Sequence, residues 1–332
     1  MKTFTDLRTL TAQYCNLQLE DTSAMAVVDN NVNDSVRTMC NLQGGKLRFL
    51  ETTKDILTVG DQEAYQIPNK FRKLIDLYII NAGDDPNTNT IYTPQMVFDP
   101  TKWKWVKSLK LGVSNVPYFT YVENKRFFIA PIPSSSGNTI VLRGRLNTTE
   151  LVRPDYTTGT IVSVANEGTT VVGSGTAWNA SMAGSYIQIA ESTSANGGDG
   201  FWYEIASVTN ATTLELTKKY EGTAIVAGAG TYTIGQCSVI PEAYDVGIVY
   251  RSTALYWQNQ NDLNRAKMYW LMYDGGNEAG YSREYGGLVG QMLANEGETE
   301  EGSYLPPFDR FSNGMPQVPY YLPYQDASGI NP

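Results

Sequence analysis

Residues 46–80, KLRFLETTKDILTVGDQEAYQIPNKFRKLIDLYII, decide the fold class, because the spacing of apolar side chains changes there from three-to-four to two. Leu47 and Phe49 alternate, and Ile56, Leu57 and Val59 follow. Gly60-Asp61 breaks the run, and Ala64 to Ile67 and Leu74 to Ile80 resume it. Alternation bounded by turn residues is the pattern of strands and hairpins. Upstream the period is helical: Phe4, Leu7, Leu10 and Tyr14 recur over residues 3–19. Met25, Val28, Val32, Val36 and Met39 recur over a second stretch that Asp21, Thr22 or Ser23 can cap and Gly44-Gly45 can end. Its polar face carries Asp29, Asn30, Asn33, Asp34 and Arg37. Two such helices cannot bury their apolar stripes by themselves, so they pack on each other and on a further layer.

Downstream, the polar residues 81–90 read as a loop, and residues 117–121, 126–130 and 139–146 as short strands. Pro131-Ile132-Pro133 and residues 134–138 supply the turns. From about Tyr156 to Gln236 the chain turns rich in Thr, Gly, Val, Ala and Ser. Residues 160–164, 169–172, 186–189, 202–208, 214–216 and 232–234 alternate there, which a flexible linker would not do. Helical spacing then resumes after Pro241 with Tyr244, Ile248, Arg251, Leu255 and Trp257. A helix capped by Asn261 or Asp262 follows, interrupted at Gly275-Gly276 before residues 285–293. The expected fold is α+β. A helical bundle with a small antiparallel β-sheet region forms a core over residues 1–155 and 238–295. An all-β barrel or sandwich is inserted at 156–237, and 296–332 form an extended C-terminal arm. That arm carries Tyr304, Phe308, Phe311, Tyr320, Tyr321 and Tyr324, so it reads as a segment that is poorly ordered in the isolated chain and orders on a partner.

Composition excludes much. The chain has 332 residues, 42% hydrophobic and 18% charged, and no run of the ~18 apolar residues that a membrane helix needs. The opening Met1-Lys2-Thr3-Phe4-Thr5-Asp6 does not lead into a secretory signal, so an intracellular protein is expected. There is no histidine at all, which removes Ser-His-Asp triads, Cys-His dyads, histidine-bound zinc and HExxH sites. Cys15, Cys40 and Cys237 form no CxxC and read as small core residues. The net charge of -9 is unevenly placed. From residue 296 onward Glu296, Glu298, Glu300, Glu301, Asp309 and Asp326 face only Arg310. Between 101 and 145 Lys102, Lys104, Lys107, Lys110, Lys125, Arg126, Arg143 and Arg145 face only Glu123. This dipolar pattern suits docking to complementary surfaces better than general nucleic-acid binding.

Motifs for chemistry are weak. Gly173-Ser174-Gly175-Thr176 and Gly228-Ala229-Gly230-Thr231 lack the third glycine and the helix of a dinucleotide loop, and no GxxxxGK[ST] occurs. Asp85-Pro86-Asn87-Thr88-Asn89 begins like a calcium loop, but Thr90 stands at the glycine position and Met96 at the bidentate glutamate. Four Asn-x-Ser/Thr tripeptides carry no meaning without a secretion signal. Carboxylate pairs leave no local mark, so a glycosidase-like pair stays open only by default. Trp103-Lys104-Trp105 interleaves aromatics with bases as single-strand binders do; the plainer reading is a partly buried strand or loop with solvated lysines.

The most specific segment is Val59-Gly60 through Tyr65-Gln66-Ile67-Pro68 to Phe71-Arg72 and a strand. It resembles a hairpin of the head-to-tail adaptor (connector) proteins of tailed bacteriophages. Val116-Pro117-Tyr118-Phe119, then Arg126-Phe127-Phe128-Ile129-Ala130-Pro131-Ile132-Pro133, resemble that family's next strands. Ile240-Pro241-Glu242-Ala243-Tyr244, with Arg265-Ala266-Lys267-Met268-Tyr269, resemble its closing helices. The similarity covers 1–155 and 238–295, and 156–236 resemble a β module of virion proteins. The resemblance implies a structural virion protein at the neck, made in the host cytoplasm, with neither enzymatic activity nor cofactor. It would be a homo-dodecameric ring between the portal protein and a tail, tail-tube or nozzle protein, with genomic DNA passing through its lumen. The arm's aromatics would dock on the portal or a neighbouring copy, and Lys102, Lys104, Lys107 and Lys110 would meet DNA or an acidic partner. The alternatives are another neck or tail-tube ring component, or a glycan-binding or hydrolytic virion protein gripping sugar through Trp178, Trp202 and Tyr203.

Overall fold

The computed structural model describes residues 1–81, 91–109, 111, 116–191, 198–226, 230–276 and 286–297. The chain opens with α1 (Phe4–Tyr14) and α2 (Thr22–Asn41). Then come β1 (Glu51–Leu57), β2 (Ala64–Gln66), β3 (Phe71–Ile80), β4 (Ile91–Tyr92), β5 (Gln95–Val97), α3 (Pro100–Ser108), β6 (Phe119–Glu123), β7 (Arg126–Ala130) and β8 (Thr139–Leu146). Strands β9 (Thr160–Val164), β10 (Thr170–Ser174), β11 (Tyr186–Ile189), β12 (Trp202–Asn210), β13 (Thr213–Leu216) and β14 (Tyr232–Gly235) follow. Helices α4 (Asp245–Asn259), α5 (Leu263–Asp274) and α6 (Gly287–Glu296) end the described chain. The architecture is mixed helix and sheet, of the α+β kind. It comprises two compact units: residues 1–44 with 148–295, and residues 45–147 with the described residues from 296.

In the first unit the helices form where the capping chemistry allows. Thr3 Oγ1 accepts from the Asp6 amide at 3.2 Å while an Asp6 carboxylate oxygen accepts from the Thr3 amide at 3.1 Å, which satisfies two of the free donors of α1. Asp21 Oδ1 accepts from the amides of Ser23 and Ala24 at the start of α2. α1 stops at Tyr14, short of the helical pattern's reach to residue 19, and Asn16 turns the chain through a positive φ of 53°. α2 buries Met25, Val28, Val32, Val36 and Met39, the stripe its spacing dictates. α4 packs against α1, α2 and α5. Gly247 makes one close approach possible: a Cβ there would lie 2.7 Å from Leu288 Cδ2. α5 ends at Gly275, whose φ of 73° lets its amide and that of Gly276 close back on the carbonyls of Leu271 and Trp270.

The same unit holds a six-stranded antiparallel sheet in the order β14-β11-β12-β13-β10-β9. The strand positions follow the alternation closely, and β10, β11 and β13 bury every second side chain. Isolated bridges Ile161↔Gly230 and Val164↔Ile225 join the edge strand β9 to residues leading into β14, which draws the two edges of the sheet together. Ile161, Val171, Trp178, Ile187, Ile205, Leu214 and Tyr220 fill its core.

The second unit has two four-stranded sheets, β1-β8-β3-β4 and β2-β7-β6-β5. Their core gathers Tyr65, Phe71, Leu77, Ile79, Phe127, Ile129, Ile140 and Leu142, with Tyr65 and Phe127 stacked at 5.3 Å. Two expectations are corrected here. The sheets are not purely antiparallel, because β5 pairs with β6 in parallel, Gln95 opposite Phe119. Parallel neighbours need a crossover connection, and α3 supplies it. Trp103-Lys104-Trp105, expected as a partly buried strand or loop, lies in that helix: Pro100 sits at its start and Asp99 caps it.

Candidate interaction surfaces

On α3, Asp99 Oδ1 accepts from the Thr101 amide at 2.7 Å and fixes the first turn. Trp103 and Val106, three apart, turn inward onto Tyr121, Phe128 and Ala130. The Trp103 ring lies 5.6 Å from that of Tyr121 at 17°. The helix thereby turns Lys102, Lys104, Trp105 and Lys107 outward. Lys107 Nζ pairs with Glu63 Oε1 at 2.7 Å. Further along the basic stretch, Arg143 reaches Glu51 at 2.5 Å and Arg145 reaches it at 3.6 Å. Acids outside residues 101–145 therefore offset part of its positive surplus, and Lys102 and Lys104 stay on the open side of α3. Beside them Trp105 is 61% exposed, Phe98 just before the helix is 83% exposed, and Tyr118 just before β6 is 55% exposed. Lys110 and the aromatics Tyr304, Phe308, Phe311, Tyr320, Tyr321 and Tyr324 lie outside the described residues, as does the calcium-like stretch from Asp85.

A second open face lies on α5. Ala266, Trp270 and Tyr273 are buried, yet Leu263, Met268, Leu271 and Met272 are exposed. Met268, Leu271 and Met272 stand at i, i+3 and i+4, so they share one side of the helix. The sequence held that signal, but the buried stripe of the same helix masked it.

The six-stranded sheet offers no aromatic grip of the expected kind. Trp178 is 3% exposed and its Nε1 donates to Tyr232 Oη at 2.9 Å. Tyr203 is buried, its hydroxyl donating to Asp199 Oδ2 at 2.5 Å and accepting from the Glu221 amide at 3.1 Å. These two side chains belong to the core, and Trp202 is half-buried. The glycan reading through Trp178, Trp202 and Tyr203 therefore loses Trp178 and Tyr203 to packing.

Titratable groups in the interior serve structure. Burial pushes the Cys15 and Cys237 thiols up to about 12, far from thiolate chemistry. Asp245 Oδ2 accepts from the Lys2 amide at 2.8 Å and its Oδ1 from Ser238 at 3.3 Å, yet burial raises its carboxyl to about 6. Thr3 Oγ1 donates to Asp155 Oδ2 at 2.8 Å, and Gln236 Oε1 accepts from the amides of Val152 and Arg153. These bonds knit residues 2–5, 152–155 and 236–245 where the six-stranded sheet is entered and left. Among the described residues no group of three His, Cys, Asp or Glu is placed to hold a metal ion. No described helix is long and apolar enough to cross a membrane.

Outward apolar side chains over a packed interior mark faces suited to contact with other proteins. Residues 2–290 match the family model described as SU10 adaptor protein, and the chain belongs to that family. It is accordingly a phage structural adaptor and a virion component. The matched limits enclose the six-stranded sheet and stop before residues 298–332. No curated protein matches the sequence.

Proposed function

We propose that this adaptor is a head-to-tail connector: a closed ring of identical copies, twelve by resemblance, seated between the portal protein and a tail, tail-tube or nozzle protein around the DNA channel. In this reading the four helices α1, α2, α4 and α5 act as the bundle of the adaptor core, and residues 156–237 are an inserted β domain that decorates the ring. Residues 296–332 reach a partner. The observation that carries the reading is the outward apolar set on both units, Met268, Leu271 and Met272 on α5 and Phe98, Trp105 and Tyr118 around α3. A monomer gains nothing by exposing such side chains, whereas a head-to-tail ring buries two different patches at every interface. Co-assembly of the full chain with portal protein, followed by electron microscopy of the particle neck, tests it. A ring under the portal vertex is expected, and a chain that leaves the portal bare overturns the reading.

A further inference from the structure

The α3 face and the end of the chain are complementary in two respects at once. Lys102 and Trp105 stand at i and i+3 along one side of α3, with Lys104 across the exposed surface, Leu109 at the C-cap and Phe98 just before the N-cap. The face is thus basic and aromatic, and the third lysine of the helix, Lys107, is already engaged by Glu63. Residues 298–332 carry the opposite charge with the same taste for aromatic packing. Glu298, Glu300, Glu301, Asp309 and Asp326 stand against Arg310, interspersed with Tyr304, Phe308, Phe311, Tyr320, Tyr321 and Tyr324. The described chain ends at Gly297, bridged to Leu47 in the same unit as α3, and 35 further residues follow in sequence. Fully extended they span at most roughly 115 Å, so reach does not limit where they dock.

We propose that residues 298–332 of one copy dock on the Phe98, Lys102, Lys104 and Trp105 face of the next copy. The aromatics cover the exposed rings, and the carboxylates flank the two lysines. This deepens the ring reading and rests on it. The two surfaces fit each other and neither fits itself, so a contact between copies is head-to-tail, the kind that propagates around a ring. Charge pairs at its rim set partner choice and register, and buried aromatics supply most of the adhesion.

The test uses the full chain. A photo-crosslinking side chain replaces Trp105 in light protein, which is mixed with isotope-heavy chain, and cross-linked peptides are sorted by mass. Light–heavy products joining the α3 stretch to residues 298–332 are expected. Their yield should fall by about tenfold on Lys102→Glu with Lys104→Glu, and fall again as salt is raised. Phe98→Ser, which leaves charge untouched, should lower it too. Cross-links confined to one isotope would place the arm on its own copy and overturn the proposal. An unchanged yield in the doubly substituted chain would do the same. So would duplex DNA held by the lysines while the arm stays unlinked. Particle mass on the same samples separates the two claims: rings without these cross-links sink the docking and spare the ring, and monomers throughout sink both.

Discussion

Trp178 and Trp105 are the same residue with opposite fates. In the six-stranded sheet Trp178 meets Tyr232 edge-on at 5.7 Å and Gly173 leaves it room, since a Cβ there would lie 2.8 Å from its ring. On α3 the inward place is taken by Trp103, and Trp105, two residues on, is carried round to solvent by the helical turn. One tryptophan holds a sheet together, and the other is left exposed. Aromatic content alone therefore does not separate cohesion from adhesion; the element's period and the layer already covering its face do.

The contrast breaks first at the sheet. Trp178→Ala is expected to cost about 3–5 kcal/mol by denaturant unfolding, from lost burial, an unfilled cavity and the loss of the indole N–H that donates to the Tyr232 hydroxyl, which keeps its own bond to the Thr158 carbonyl. A loss under about 1 kcal/mol would show that this core is not the tight one described. Next comes Gly144→Ala in β8, where a Cβ would fall 2.4 Å from Phe71 Cδ2 and 2.9 Å from the Lys73 carbonyl. A destabilisation of about 1–3 kcal/mol is expected, because the strand backbone cannot yield as a free side chain would.

The buried acid gives a pH test. The folded state holds a proton on Asp245 more tightly than the unfolded chain does, its carboxyl being raised from 3.8 to about 6. Stability from this group is therefore full below pH 4 and lost as pH rises toward 6. Thermal melts of the parent and Asp245→Asn should diverge over that window in favour of Asn, by on the order of 1–2 kcal/mol. Parallel pH curves would show that the carboxyl is not held as described. The smallest stability effect belongs to Trp105→Ala, within about 0.5 kcal/mol. Its sedimentation should nonetheless shift toward smaller species, and a large loss of folding stability would place Trp105 in a core after all.

The strands of the six-stranded sheet were legible because every second residue faces one packed side, and the helices because their caps and glycine stops lie close in sequence. α3 was hidden by its own composition. Trp103-Lys104-Trp105 alternates like a strand, while the burial that settles the matter runs from Trp103 to Val106. Asp99-Pro100 was the clue. The parallel β5–β6 pair and the pairing of Glu51 with Arg143, 92 residues apart, have no local mark. The same holds for the candidate surfaces: sequence places Lys102, Lys104 and Lys107 in one basic run, but only the fold shows that Lys107 is engaged by Glu63.

The most direct measurement is the mass of the full chain in solution, by itself and with portal protein. A closed ring of identical copies, with or without the portal, is the expected result. A 36.7 kDa monomer that stays single at every concentration and ignores the portal would contradict the account.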